Sequence, residues 1–360
     1  MNAIPEVIEA HTRAVDAFTQ WMLEISNSAS MAMMISVAHR TGLFDTMAKM
    51  PPSNSSKIAT AAGLRERYVR ECLGALTAGG IVRYDASNGT YMLPPEHAAR
   101  LTRDAYPTNM ASMMQWVSVL GAVEDEIIRC FREGGGVPYE RFHRFHEAMA
   151  EESDQTTIGG MMEHILPAIP GLKERLVRGI DVVDIGCGAG KAMLFLAERF
   201  PRSRFRGFDF SAEAIGMATK MASERRLKNV HFEQRDVTNM PERQEFDLIT
   251  AFDAIHDQAH PAMVLRNIQQ ALRNDGTFLM QDIRASSHLE KNIGQPLAPF
   301  LYTISTMHCM TVSLACGGCG LGTCWGEELA RDMLRDAGFS RVEVKQLEHD
   351  ILNNYYICMK

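Results

Sequence analysis

Two rhythms of hydrophobic positions divide the chain. From residue 171 onward, short apolar runs alternate with stretches of helical spacing, and that alternation predicts a doubly wound parallel α/β sheet. Strands are expected near 181–185, 204–209, 229–234, 246–251 and 276–282, with a closing antiparallel pair in 341–347 and 355–359. Before residue 101 the helical period dominates. One amphipathic helix is expected over 1–26, carried by Ile8, Val15, Phe18, Met22 and Ile25. A second is expected over 30–50, stopping near Gly42, with an apolar surface broad enough to be buried against a neighbour. Pro51-Pro-Ser-Asn-Ser-Ser then opens a helix, a short turn at Gly63-Leu64 and another helix. Residues 81–84 and 90–93 flank Asn88-Gly89, a hairpin signal. Helix–turn–helix plus hairpin is a winged helix. The stretch between, rich in helical spacing and bounded by Pro167 and Pro170-Gly171, is a candidate substrate lid. The expected organisation is therefore a winged-helix domain over 1–100, a helical linker and lid over 101–170, and a Rossmann-like domain over 171–360.

Length and composition agree with more than one core. A chain of 360 residues exceeds what one ordinary core organises. The net charge of −7 argues against a dedicated nucleic-acid binder. Residues 292–326 hold no Asp, Glu, Lys or Arg, yet Pro296, Pro299 and a run of glycines make them a poor membrane span. The eight cysteines show no framework spacing and are expected as reduced thiols in a cytoplasmic protein, the chain start showing no secretory signal. Methionine, at 24 residues, is abundant; core packing accounts for it, and a soft-walled pocket for a thioether is the sharper alternative.

The chemistry concentrates after the first strand of the α/β domain. Residues 180–191 read Ile-Asp-Val-Val-Asp-Ile-Gly-Cys-Gly-Ala-Gly-Lys. An apolar run ends in Gly186, Gly188 and Gly190, and helical spacing resumes at Ala192, so the glycines sit where a strand turns into a helix. Such a turn lets a ligand approach the backbone closely. A dinucleotide site wants G-x-G-x-x-G, and Lys191 stands where the third glycine should be. That disfavours a nicotinamide dehydrogenase. Asp209 ends the next apolar segment, where an acid can accept hydrogen bonds from ribose hydroxyls. Asp236 ends the third. The alternative for both is a helix N-cap.

The spacing D-x-G-x-G-x-G, with Asp184 as its acid, is similar to motif I of class I S-adenosylmethionine-dependent methyltransferases. Nearly the whole chain resembles bacterial-type methyltransferases with an N-terminal winged helix, a group whose wider circle includes the plant phenolic O-methyltransferases. The stretches that carry the resemblance are 38–45, 144–151, 164–167, 183–188 and 251–257. It implies S-adenosylmethionine as cofactor, held by Asp184, the three glycines, Asp209, Phe210, Asp236, Val237, Phe252 and Asp253. It implies a small-molecule acceptor and a homodimer formed through the winged helix, with no membrane or metal.

The resemblance also implies catalytic residues. His256, directly after the fourth strand, stands where the plant-type enzymes carry a general base. A hydroxyl is a poor nucleophile towards a sulfonium methyl until a base removes its proton, and imidazole titrates in the useful range. The alternative is a histidine capping the following helix. Glu327 or Glu328 corresponds to the acid that orients the base. Phe145-His-Glu-Ala-Met149 matches a plant-type Phe-Asn-x-x-Met, so His146 and Met149 are expected on substrate, with Tyr302 beside them. Cys316, Cys319 and Cys324, in a glycine-rich loop with His308-Cys309 upstream, depart from the pattern; Cys-x-x-Cys with a nearby Cys and His could be a zinc site, but a second Cys-x-x-Cys is lacking, and reactive or thiophilic cysteines or inert loop thiols are the other readings.

The expected reaction is in-line transfer of the methyl group to an oxygen or sulfur atom of a small-molecule acceptor, and two alternatives stay open. One is S-methylation of a thiol or thioether metabolite, needing no general base. A winged-helix regulator with a cofactor-sensing domain would need a basic reading helix, yet residues 51–95 carry only five Lys or Arg against three Asp or Glu.

Overall fold

The computed structural model describes residues 3–360, with side chains from Glu9 onward. Its contacts cluster into two units, 1–118 and 119–360, so the expected linker and lid over 101–170 is divided between them.

The first unit opens with one helix, α1 (Ala3–Arg40), not the two expected. The serines at the anticipated break do not cap. Ser28 Oγ and Ser30 Oγ donate to the carbonyls of Glu24 and Ser26, at 2.8 and 2.9 Å, bonds that a continuous helix satisfies internally. Without Gly or Pro, nothing there stops propagation. The apolar stripe of α1 is outward: Val15, Phe18, Met22 and Ile25 are 42–58% exposed. α2 (Leu43–Ala48), α3 (Ser55–Ala62) and α4 (Glu66–Ala78) follow, then the hairpin β1 (Arg83–Asp85) and β2 (Thr90–Met92). Asn54 caps α3 by accepting from Lys57 N, and Gly63 ends it in the left-handed region. Phe44, Ile58, Leu73 and Leu76 form the core of this winged helix.

The second unit holds a seven-stranded sheet of order β5-β4-β3-β6-β7-β9-β8. Its strands are β3 (Asp181–Ile185), β4 (Arg204–Asp209), β5 (Val230–Gln234), β6 (Phe246–Phe252), β7 (Leu272–Ile283), β8 (Arg341–Lys345) and β9 (Asn353–Met359). β3 to β7 are parallel; β9 inserts antiparallel between β7 and β8. Neighbouring residues on each strand serve opposite faces. Val182, Leu248 and Leu279 join one core with helix Lys191–Arg199, whereas Val183, Ile249 and Phe278 join another with helix Pro261–Ala271. Both faces are covered, as the uninterrupted apolar runs demand. β7 starts four residues earlier than the expected 276 because Leu272 is buried and Arg273 is held by Asp247 and Asp181.

Two helical segments flank the strand ends. Phe145–Ser153 continues through wide π turns at Asp154–Ile158 and Met161–Ile165, and Ala298–Ile304 through another at Ser305–Cys309 into Met310–Ala315. π turns re-aim side chains and gather at functional sites.

Candidate active site

The carboxyl ends of β3, β4 and β6 line a cavity of about 450 Å³, closed on the other side by Pro138–Ile158 and the end of helix Met310–Ala315. That volume suits a small-molecule site.

The glycine turn works as its spacing suggests, and the three glycines do different things. All have positive φ: 68° at Gly186, 51° at Gly188 and 72° at Gly190. A Cβ on Gly186 would lie 2.5 Å from Ala254 Cβ, and one on Gly190 2.5 Å from the Phe232 ring, so both admit close packing. At Gly188 a Cβ would meet nothing within 4 Å; that glycine opens onto the cavity. Lys191 does not replace a phosphate-facing glycine but pairs with Asp154 at 2.8 Å.

Three acids expected at the cofactor stand around this turn. Asp184 is buried and accepts from Thr250 Oγ1 at 2.6 Å; burial pushes its pKa up to about 7. Asp209 accepts Gly188 N on Oδ2 at 2.8 Å and Ser211 N on Oδ1 at 2.9 Å. Each oxygen keeps a lone pair for a further donor. Asp236 accepts from Thr238 N and Thr238 Oγ1 on Oδ1 alone, so the N-cap alternative describes one of its oxygens only. Phe210, Val237, Phe252 and Asp253 line the same wall. Asp253 has a φ of 50°, takes Gln281 Nε2 on Oδ2 at 3.0 Å and leaves Oδ1 buried without a partner. Buried unpaired oxygens at a cavity are what a polar ligand would satisfy. These residues fit an adenosyl cofactor.

On the acceptor side, His146 and Met149 line the cavity, His146 Nε2 lying 3.0 Å from Ser211 Oγ and its ring stacked on Tyr139. Tyr302 is not among the lining residues; its hydroxyl accepts from Asn292 Nδ2 at 2.9 Å.

His256 follows β6 and is buried. Its Nδ1 lies 2.7 Å from Asp282 Oδ1. Asp282, near the end of β7, is fully buried and also accepts from Trp325 Nε1 and Ile283 N, at 2.9 and 2.8 Å. Glu327 does not orient His256: it holds Arg331 at 2.7 Å and Asn354 at 3.2 Å. Glu328 binds Ser286, Ser287 N and Lys291. The acid hydrogen-bonded to the candidate base is thus Asp282. The sequence signal was present, since Asp282 sits at a strand end like the cofactor acids. Burial works to lower the His256 pKa, but the carboxylates of Asp282 and Asp257 outweigh it and hold the imidazole well above its ordinary range. His256 does not itself line the cavity; its neighbour Asp257 does.

His308 and Cys309, the pair upstream of the cysteine loop, also come to this region. His308, on the π turn, is fully buried, stacked on Phe145 at 3.9 Å, with no hydrogen-bond partner on either nitrogen. Among the described residues, one group could hold a metal ion, formed by His256, Asp257 and Cys309, whereas Cys316, Cys319 and Cys324 form none.

Comparison with known proteins agrees with this architecture. Residues 29–103 match the Rv2258c-like winged HTH domain, and residues 176–338 match a methyltransferase domain. Over 105 residues, 29% of the chain, the sequence is 29% identical to (S)-coclaurine N-methyltransferase of Papaver somniferum, covering 30% of it. Over 138 residues, 38% of the chain, it is 29% identical to malonyl-[acyl-carrier protein] O-methyltransferase of Bacillus cereus, covering 49% of that protein. The chain thus spans less than half the length of these relatives. Its fold is similar to human N-acetylserotonin methyltransferase in complex with SAM, with a TM-score of 0.69, 18% identity and coverage of 95% and 97% of the two chains. It is likewise similar to the mitomycin 7-O-methyltransferase, with a TM-score of 0.65, 17% identity and coverage of 97% and 100%.

Proposed function

The chain carries a winged helix–turn–helix domain followed by a class I S-adenosylmethionine-dependent methyltransferase domain, and on that premise we propose that it transfers a methyl group to an oxygen atom of a small-molecule acceptor. The observation that carries the choice of oxygen is the His256–Asp282 pair at 2.7 Å. A thioether acceptor has no proton to lose and gives no reason for a buried imidazole–carboxylate pair.

The cofactor supplies an electrophilic sulfonium methyl group. Gly188 leaves the backbone open to it, Asp209 offers acceptor lone pairs to its sugar, and Asp236 offers its second oxygen to the purine edge. The chain's main contribution is alignment of two reactants, which removes most of the entropic barrier. Asp282 holds Nδ1 of His256, which places the basic lone pair on Nε2. Nε2 takes the acceptor's proton as oxygen becomes the nucleophile.

The apolar face of α1 supports a homodimer, with a second copy covering Phe18, Trp21 and Met22, each at least 46% exposed. Nucleic acid is a poor partner for this winged helix: on α4, Arg67 pairs with Glu71 and Arg70 with Glu66, so its cations are already matched.

The test compares wild type and His256→Ala on oxygen and thioether acceptors. Base catalysis predicts a loss of several hundredfold on oxygen acceptors, within the ~10²–10⁴ range of general bases. A few-fold change there would overturn the assignment.

A further inference from the structure

We infer that the chain binds a thiophilic divalent cation of the zinc class in the pocket formed by Cys309, His256 and Asp257, and that the cation withdraws the base from methyl transfer. The inference rests on His256 being that base, whereas binding itself does not.

Four observations converge. His256, Asp257 and Cys309 each offer a ligand atom, and these atoms lie within 4.8 Å of one another. A thiolate, an imidazole and a carboxylate are a zinc donor set, and tetrahedral zinc tolerates any mixture of the three. His256 Nδ1 is already held by Asp282, which leaves Nε2, 3.4 Å from Asp257 Oδ1, as the ligating atom. Metal-binding histidines are oriented in this way, by a carboxylate on the far nitrogen. Here the carboxylate is itself fixed by Trp325 Nε1 and Ile283 N.

The second observation is unmet hydrogen-bonding capacity. Asp257 Oδ1 and both nitrogens of His308 are buried without a hydrogen-bond partner, and His308 Nδ1 is 3.9 Å from Asp257 Oδ2. His308 stands beside the three-residue group without belonging to it, and its unmet nitrogens mark the same spot. Each such group is costly unless a ligand fills the gap. Third, the π turn Ser305–Cys309 brings His308 and Cys309 to this point. Fourth, Asp257 lines the cavity, which gives the cation a path from solvent.

Binding exchanges a proton for a metal bond. The Cys309 thiol loses its proton to solvent as the sulfur–metal bond forms. Nε2 of His256 gives up its proton in the same way and can no longer accept one from an acceptor hydroxyl.

The experiment titrates the metal-free full chain with cobalt(II), without cofactor or acceptor, and follows the thiolate-to-cobalt charge-transfer band. One equivalent is expected to raise the band, and zinc to abolish it by displacement. Cys309→Ser should lose the band, while the Cys316→Ser/Cys319→Ser double variant keeps it. Asp282→Asn should weaken zinc about 10–100-fold, as loss of an orienting carboxylate does. Should Cys309→Ser not fold, Asp257→Asn takes its place, with weaker cobalt binding expected. A band that survives in the variant, or no stoichiometric binding by folded wild type, overturns the inference. Failure here with a His256-dependent pH profile intact would leave the methyl-transfer reading standing.

Discussion

The two sides of the active-site cavity are built by different rules. The cofactor side is a row of strand ends, β3, β4, β5 and β6, each contributing an acid or a glycine within a few residues of its last pair. The acceptor side is assembled from Tyr139, Phe145, His146 and the π turn that carries His308, segments far apart in sequence and joined by ring contacts. The first side is a local consequence of chain direction in a parallel sheet. The second exists only once helices have packed. The cofactor side should therefore respond to substitution chiefly in affinity and stability, and the proposed catalytic pair in rate and pH.

The largest effect that would break this division is expected at Asp282. Asp282→Asn leaves His256 a neutral partner and removes a carboxylate that raises its pKa. A base works only when unprotonated, so in wild type the rate is lost as pH falls through the raised pKa, and activity climbs on the alkaline side of neutrality. In Asp282→Asn that limb should move to lower pH, and kcat at its plateau should fall by about 10²-fold or more, as when a triad acid is neutralised. A pH–rate profile under saturating acceptor checks both. An unmoved limb would dissociate His256 from the chemistry.

Next in size are the glycines, which sharpen the division within one turn. Gly190→Ala would drive a methyl group to 2.5 Å from the Phe232 ring and 2.8 Å from Ala218. Overpacking of that kind costs roughly 1–3 kcal/mol, with about 1–2 more for the left-handed backbone. Thermal unfolding should show it. Gly188→Ala meets open space, so only the backbone cost, about 1–2 kcal/mol, reaches stability. Its methyl group would enter the space proposed for the cofactor, and adenosylhomocysteine affinity by calorimetry should fall by more than the stability change explains.

What was legible follows the same line. Asp184, the glycine turn, Asp209 and Asp236 could be read because a strand end, a turn and an acid lie within a dozen residues, and the alternation of the α/β domain located all seven strands. The continuous α1 was not legible, since serine serves equally as a cap and as an internal residue bonded to its i−4 carbonyl. The Asp282 partner of His256 was missed for a different reason. Glu327 and Glu328 open a helix with two acids, an obvious signal, whereas Asp282 hides at the end of a strand that reads as buried. His308 and Cys309 depend on a π turn, and no periodicity announces one.

A smaller effect concerns pH and stability on the cofactor side. The Asp184 pKa is raised by burial to about 7, above the unfolded value near 3.9. The unfolded chain then releases this proton first as pH rises, so stability from Asp184 is present below about pH 4 and declines as pH climbs towards 7. Asp184→Asn should flatten that slope in the melting temperature between those limits. A slope unchanged in the variant would assign it to other groups.

The smallest expected effect separates the two candidate orienting acids. Glu327 is about one-third exposed and bonds Arg331 and Asn354 rather than His256. Partly exposed helical ion pairs of this kind contribute roughly 0–1 kcal/mol. Glu327→Gln should therefore leave kcat within about twofold and leave the acid limb of the pH profile where it is, while the melting temperature shifts slightly. The comparison with Asp282→Asn is informative because both variants exchange one carboxylate for an amide of equal size, yet only Asp282 touches His256. If Glu327→Gln instead moved the limb and Asp282→Asn did not, the acid nearest in space would be a structural anchor for Trp325, and the one expected from its place at the start of the helix would be the functional partner.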